Sequence, residues 1–572
     1  MVRSRDALSD QASGLSDQAS GLSDQASGAL LGANPFLGLS PSQLGAATAR
    51  FVVYAARHPP TVVDDSARLA GRLARVAVGK STVRPDAGDK RFVDDAFEHH
   101  PLFRRLMQGY LEWRSSLYGI VDRVGLDVKS ASRARFAASL VAEAAAPTNA
   151  VLGNPAALRA AVASRGRTLT AGARHLTHDV LHNGGMPKMV DSRPFVVGET
   201  VATSPGSVVH RSDVLELIEY QPVTPTVRAR PVVIVPPQIN KFWILDLAPG
   251  RSLVRHLLAE GHRVFMVSWR NPTAAQRDWS LDTYVDALHT AVEAARRIAR
   301  ADSVNVTGAC AGGITTSALL GHLAARRVDI VRSVTLLVTV LDMAEASAMT
   351  LFLSEPAAAA AIRRSRRRGV LDGRELGRVF AWLRPNDLVW SFWVNNYLLG
   401  QEPPAFDVLA WNDDTTNLPA GLHADFLAIA LSNALAEPDR LEVLGTPIDL
   451  SKADCDAYLM GGIADHITPW ETCYRNVHLL GGRAEFVLSG GGHVQALVNP
   501  PGNPKSRYFV NPDRADDALG WLDGAEERQG TWWEHWTAWL AERAGDEVAA
   551  PRRPGNRAYP AIDSAPGRYV LA

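Results

Sequence analysis

Hydrophobic positions along this chain keep two rhythms, and the change between them falls near residue 190. From residue 34 to about 187 apolar residues recur at three-and-four spacing, as in 42–57 and in the aromatic stretch 102–118, with Pro and Gly between the runs. That spacing predicts a helical N-terminal domain over 34–190. Beyond it, short β-branched runs alternate with amphipathic stretches, which predicts a parallel sheet covered on both faces within 191–572. Strands are expected at 231–235, 263–268, 303–306, 333–340, 458–461 and 485–488. Residues 280–300 should be helical, because Leu281, Tyr284, Val285, Leu288, Val292, Ala295 and Ile298 share one face.

Three stretches depart from these rhythms. Between about 343 and 444 the alternation stops for an insert rich in Trp, Pro and Asn, including Trp390, Trp393 and Trp411, expected to form a cap or lid. Residues 8–28 are three identical copies of a seven-residue unit, but each copy supplies one Leu and ends in Gly, so no coiled-coil seam forms. Residues 1–33 are expected to be a disordered tail. The last helix carries Trp532, Trp533, Trp536 and Trp539, of which Trp532, Trp536 and Trp539 share a face expected to pack in the core.

Composition narrows the class. With 572 residues and 46% hydrophobic side chains the chain can build a large catalytic domain and a smaller one. Its 60 basic residues balance 60 acidic ones, so no net field recommends nucleic acid or an anionic membrane as partner. Three cysteines, Cys310, Cys455 and Cys473, with no CxxC pair, argue against a disulfide framework or a thiolate metal site. The polar start lacks the apolar core of a signal peptide, and runs such as 334–341 are too short to span a bilayer. A cytoplasmic protein without a membrane span is expected.

One motif carries chemistry more sharply than the rest. A strand runs through Val304 into Gly308-Ala309-Cys310-Ala311-Gly312-Gly313 and then a helix, the pattern of a nucleophile elbow. The sharp turn puts Cys310 at the strand's carboxyl end, and small neighbours are required because bulk would collide with the adjoining strand and helix. The helix N-terminus beneath the thiol favours a thiolate and a developing oxyanion alike.

Such a nucleophile needs a base and a group to orient it, in the chain order nucleophile, acid, histidine. Asp465 follows the strand at 458–461, and His493 follows the next, in Gly490-Gly491-Gly492-His493. Both lie where loops leave carboxyl strand ends, the edge at which open α/β sheets build their sites. His466 is a rival base, but its place directly after the acid points it elsewhere. The oxyanion should meet the backbone N–H of Ala311 and one from the loop after the early strand, Gln238 or Ile239, of which Ile239 is preferred. These features predict an α/β-hydrolase fold with an inserted cap or lid, preceded by the helical N-terminal domain.

Other motifs weaken on inspection. Gly79-Lys80-Ser81 resembles the tail of a phosphate-binding loop, but Ala74 stands where its first glycine is required. The basic run Arg363, Arg364, Arg366, Arg367 and Arg368 reads as a solvated helix face, and His99-His100 has no partner at ligand spacing. Neither a metal nor a cofactor is expected.

At this point the chain resembles a known family. The elbow with its Ile314-Thr315-Thr316 continuation, Val235-Pro-Pro-Gln-Ile-Asn-Lys241, Val267-Ser-Trp-Arg-Asn-Pro272 and His493-Val-Gln-Ala-Leu-Val-Asn-Pro-Pro-Gly-Asn-Pro504 look like polyhydroxyalkanoate synthases. Val394-Asn-Asn-Tyr-Leu-Leu-Gly400, Trp411-Asn-Asp-Asp-Thr-Thr416 and Pro500-Pro-Gly-Asn-Pro-Lys-Ser-Arg-Tyr508 are most similar to the class II enzymes of medium-chain-length polyesters. The resemblance implies polymerisation of 3-hydroxyacyl-CoA with release of CoA, Cys310 as acyl carrier, and Asp465 and His493 as its catalytic partners. It also implies a homodimer on cytoplasmic polyester granules, with phasin-type proteins as accessory partners. The triple repeat departs from the family pattern.

Transfer from CoA to Cys310 exchanges one thioester for another, and attack by a 3-hydroxyl then gives a more stable oxoester, so chain growth runs downhill. His493 would take the thiol proton and then assist the incoming hydroxyl, with Asp465 orienting it or acting on the hydroxyl directly. One thiol or two could carry the chain, and the Trp-rich insert would keep water off the thioester. Thr339, after the strand that follows the nucleophile helix, and Gln495, two residues past His493, should lie near the acyl pocket and bind substrate. The same elbow and triad would equally serve a thioesterase or esterase acting on acyl-CoA or polyester.

Overall fold

The computed structural model describes residues 59–123, 126–344 and 353–572. The triple repeat, the tail 1–33 and the helix expected over 42–57 lie outside the described residues. The chain divides into two compact units, one running to Asp191 and including Arg378–Pro404, the other built from Ser192–Gly377 and Ala405–Ala572.

The first unit is helical. Its principal helices are Pro59–Ala77, Pro101–Arg123, Val128–Ala144, Pro155–Ala163 and Arg167–His182. Phe103, Met107, Tyr110 and Leu111 recur at helical spacing and pack with Phe92 and Phe97 into one apolar cluster. Asn154 caps a helix by accepting from Ala157 N at 3.0 Å, with Pro155 in the first turn where a missing N–H costs nothing. The segment Arg378–Pro404, which the sequence places inside the cap, belongs to this unit. Gly172 explains how it docks: a Cβ there would lie 1.9 Å from the Tyr397 carbonyl oxygen. The Tyr397 hydroxyl then reaches past it to donate to the buried Asp179 at 2.8 Å.

The second unit is organised by an eleven-stranded sheet. Its strands are β1 (Gly206–Arg211), β2 (Leu215–Tyr220), β3 (Val232–Val235), β4 (Val264–Trp269), β5 (Val304–Ala309) and β6 (Val331–Leu337). They continue as β7 (Asp456–Gly462), β8 (Ala484–Ser489), β9 (Arg507–Val510), β10 (Glu526–Gln529) and β11 (Asp563–Ser564). The spatial order is β10-β9-β8-β7-β6-β5-β3-β4-β2-β1-β11. The six strands from β4 across to β8 are parallel, and every pairing outside them is antiparallel. With helices on its faces, this is the α/β-hydrolase arrangement. The exchange of β3 and β4 in the order puts the carboxyl ends of β3 and β5 side by side, where the site forms.

Helices hold the sheet from both sides. In Leu281–Ala299 the seven residues of the expected apolar face are all buried. Trp532–Ala541 buries Trp532, Trp536 and Trp539, and also Trp533, which lies off their shared face but donates its indole N–H to Leu497 O at 3.2 Å. Trp536 Nε1 donates to Thr335 Oγ1 at 2.9 Å, so truncation to Ala would remove a filled core volume and a buried bond, costing about 3–5 kcal/mol. At the sheet edge, buried Glu216 accepts the amides of Arg568 and Tyr569, which fastens the last residues beside β1 and β11.

Candidate active site

Strand β5 ends at Ala309 and the helix Ala311–Ala325 begins two residues later, so Cys310 alone turns the chain. It does so at φ 49° and ψ −121°, a conformation that costs a non-glycine residue about 1–3 kcal/mol unless its surroundings hold it. They do. Cys310 N donates to Leu337 O at 2.9 Å, and Cys310 O accepts from Gly313 N at 2.9 Å. Three glycines allow the close approach: a Cβ on Gly308 would lie 2.7 Å from Gly313 Cα, on Gly312 2.4 Å from Val235 O, and on Gly313 2.1 Å from Thr339 Oγ1. The Cys310 side chain is partly exposed, whereas Cys455 and Cys473 are buried. The Ala311 amide opens the helix and has no helical acceptor of its own.

Asp465 and His493, expected as acid and base, meet each other in the loops after β7 and β8. His493 Nδ1 lies 2.7 Å from Asp465 Oδ2, and His493 opens the short helix that leaves β8. The remaining lone pairs of Asp465 accept from Ile467 N at 2.8 Å, Thr468 N at 3.0 Å and the Thr468 hydroxyl at 2.7 Å. Burial alone would raise the Asp465 carboxyl, but the charge and hydrogen bond of His493, with the Thr468 bonds, hold it below its ordinary value. Burial likewise opposes an imidazolium at His493; the Asp465 carboxylate and the Cys310 side chain outweigh it and push His493 up to about 10. That balance brings all three predicted residues into one interacting set. The four bonds to Asp465 described above come from His493, Ile467 and Thr468.

The loop after β3 is held by residues far away in sequence. Thr416 N donates to Ile239 O at 3.3 Å, and the Thr416 hydroxyl donates to Gln238 O at 2.7 Å. Asn240 and Thr415 form an antiparallel bridge. Next along, Lys241 pairs with Asp414 at 2.8 Å, and Trp411 Nε1 donates to Lys241 O at 2.7 Å. Buried Gln238 turns the other way, its Nε2 donating to Thr315 Oγ1 at 2.8 Å on the nucleophile helix.

Thr339 is buried against the elbow, its hydroxyl 3.3 Å from Cys310 O and 3.0 Å from Leu337 O. Gln495 sits on the helix that His493 opens, with an exposed side chain near Gly491. Cys473 donates to Thr468 O at 3.6 Å; burial, with the nearby Asp465 charge, pushes its thiol far up. In the arginine-rich helix, Arg364 and Arg368 both pair with Glu375. Among the described residues no group of three His, Cys, Asp or Glu could hold a metal ion, and no helix is long and apolar enough to cross a membrane.

Sequence reasoning missed Thr468 and Thr416. Thr468 left a legible trace, since a Thr three residues after an Asp can close a local side-chain turn. Thr416 closes the family-like block 411–416, but nothing in a linear pattern announces its pairing across 178 positions.

Two family models and several curated relatives match this chain. Residues 88–257 match the family described as "Poly-beta-hydroxybutyrate polymerase (PhaC) N-terminus", and residues 231–500 match "alpha/beta hydrolase fold". The chain is 48% identical to "Poly(3-hydroxyalkanoate) polymerase 1" of Ectopseudomonas oleovorans, over 94% of this chain and 96% of that protein. It is 45% identical to "Poly(3-hydroxyalkanoate) polymerase 2" of the same organism, again over 94% and 96%. Among solved structures, a monoacylglycerol lipase from Paleococcus ferrophilus is similar at 16% identity and a TM-score of 0.30, covering 49% of this chain and 90% of that one.

Proposed function

The chain belongs to the poly(3-hydroxyalkanoate) polymerase family, and on that footing we propose that it transfers 3-hydroxyacyl groups from CoA to a growing polyester through a thioester on Cys310. The observation that carries this reading is the set Cys310, His493 and Asp465, which follow the carboxyl ends of β5, β8 and β7 and include a strained cysteine turn.

In the loading step His493 takes the Cys310 thiol proton, and the thiolate attacks the acyl-CoA carbonyl. The C–S bond to CoA breaks, and the departing CoA sulfur recovers the proton from His493. The amides of Ala311 and Ile239 hold the oxyanion formed between these events. In the second step His493 accepts the proton of a 3-hydroxyl, whose oxygen attacks the Cys310 thioester. An oxoester forms and the thiol is released. Asp465 orients and charges the imidazole, a role supported by its burial and by the engagement of both its oxygens. Buried Cys473 and Cys455 support a single thiol per chain as the carrier.

Further parts of the reading rest on family membership and the resemblance of the blocks quoted above. The preferred monomers are medium-chain (R)-3-hydroxyacyl-CoA thioesters, with no resident cofactor. The enzyme resides as a homodimer on cytoplasmic polyester granules beside phasin-type proteins. Thr339 and Gln495 line the acyl pocket, and the part of the insert that stays with the sheet, Leu353 to Gly377 and Ala405 to about Leu444, covers the thioester against water.

The test is CoA release from (R)-3-hydroxydecanoyl-CoA and (R)-3-hydroxybutyryl-CoA, with product sizing, for wild type and Cys310→Ala. Polymer that forms faster from the longer substrate and vanishes in the variant is the expected result. Free hydroxy acid as the only product would make the protein a thioesterase instead.

A further inference from the structure

The two bonds from Thr416 to the loop after β3 have a geometric consequence. A trans peptide points its C=O and its N–H in opposite directions. The hydroxyl of Thr416 holds the carbonyl of the Gln238–Ile239 peptide at 2.7 Å, and therefore fixes the direction in which the Ile239 N–H points. The next carbonyl, Ile239 O, is held by Thr416 N, and the bridge between Asn240 and Thr415 continues the pairing. The Gln238 side chain in turn ties that residue to Thr315, which lies one turn past Ala311 on the nucleophile helix and whose hydroxyl is 3.4 Å from Ala311 O. Gln238 is thus held at its carbonyl by Thr416 from the insert and at its side chain by Thr315 from the elbow helix, and both threonines are buried.

We propose that Thr416 is a positioning residue for catalysis: its hydroxyl orients the Gln238–Ile239 peptide so that the Ile239 amide faces the oxyanion formed when Cys310 attacks a thioester. The inference rests on the acyl-transfer reading above. It assigns the segment 411–417 a part in transition-state stabilisation that its distance in sequence from Cys310 conceals. Lys241 with Asp414, and Asn417 with Asn271 and Pro272, anchor the two ends of the same strap.

The test compares wild type, Thr416→Val and Thr416→Ser in two reactions of the same thiol. Acylation of Cys310 by (R)-3-hydroxydecanoyl-CoA passes through an oxyanion, whereas alkylation by iodoacetamide displaces iodide and does not. Loss of one oxyanion donor costs about 100- to 1,000-fold, and a donor turned aside rather than removed should cost about 10- to 100-fold. Thr416→Val is expected to lower kcat for CoA release by about that factor, with KM and the iodoacetamide rate changed less than about twofold. Thr416→Ser, which keeps the hydroxyl, should restore most of the rate. Equal loss in both reactions would mean that Thr416 only supports the fold, and unchanged acylation in Thr416→Val would overturn the proposal. If wild type itself releases no CoA, the acyl-transfer reading fails rather than the positioning role.

Discussion

The Thr468 hydroxyl donates to Asp465 Oδ2 at 2.7 Å, so the carboxylate oxygen that holds His493 is shared between an imidazole and an alcohol. Replacing Thr468 with Val keeps the shape and removes that donor. A bond to a charged acceptor contributes about 1.5–3 kcal/mol. Asp465 should then become easier to protonate and His493 a weaker base. The expected outcome is a fall of about 10- to 100-fold in kcat/KM, with the pH profile of Cys310 alkylation displaced, while Thr468→Ser stays near wild type.

The same pair makes stability depend on pH in a defined direction. His493 is raised from 6.5 to about 10, so its contribution is complete below about pH 6.5 and is lost as pH climbs through about 10. Asp465 is lowered from 3.8, so its contribution is present above about pH 4 and is lost on acidification. The difference in thermal midpoint between wild type and His493→Gln should therefore be largest at about pH 5–6 and shrink steadily towards about pH 10. A difference that grows with rising pH would refute the assignment.

Thiol reactivity should single out one cysteine. Cys310 is partly exposed beside His493, whereas burial pushes Cys455 up to about 12 and holds Cys473 well above the ordinary thiol value. Brief treatment of the native protein with iodoacetamide at neutral pH should modify Cys310 alone, as read by peptide mass spectrometry. Cys473→Ala should retain polymerising activity, and a requirement for Cys473 would revive a two-thiol scheme.

Gly312 and Gly313 should tolerate substitution differently. A Cβ on Gly313 meets the Thr339 side chain, which can be trimmed, while one on Gly312 meets the backbone oxygens of Val235 and Pro236, which cannot. Each Ala substitution should destabilise the protein by about 1–3 kcal/mol or more. The double variant Gly313→Ala, Thr339→Ala should recover part of that loss in a denaturant titration, and pairing Gly312→Ala with Thr339→Ala should recover none.

The central parallel strands and the helix Leu281–Ala299 were legible because burial on both faces writes continuous apolar runs and a clean helical stripe. The antiparallel flanks escaped notice. Strand β9 has only four residues, of which Tyr508 and Val510 are buried, β10 has no buried residue, and β11 holds two residues, so their pairing depends on neighbours rather than on composition. Within the site, Cys310, Asp465 and His493 were legible because each sits in a glycine-rich or loop context that chemistry demands. Thr416 acts through its backbone and one hydroxyl, and Thr and Ser side chains that serve distant carbonyls leave no periodic mark.

The order in which the chain is synthesised sets a condition on how the helical unit matures. Tyr397, whose carbonyl fits against Gly172 and whose hydroxyl reaches Asp179, lies beyond the end of the unit's first stretch at Asp191. At about 5–20 residues per second, the ribosome needs roughly ten to forty seconds to pass from Asp191 to Pro404. During that interval Asp179 lacks its tyrosine and Gly172 lacks the Tyr397 backbone that packs against it. Cys310 and its strand therefore emerge before the helical unit can close, and a fragment ended at Asp191 would carry that unfinished surface permanently.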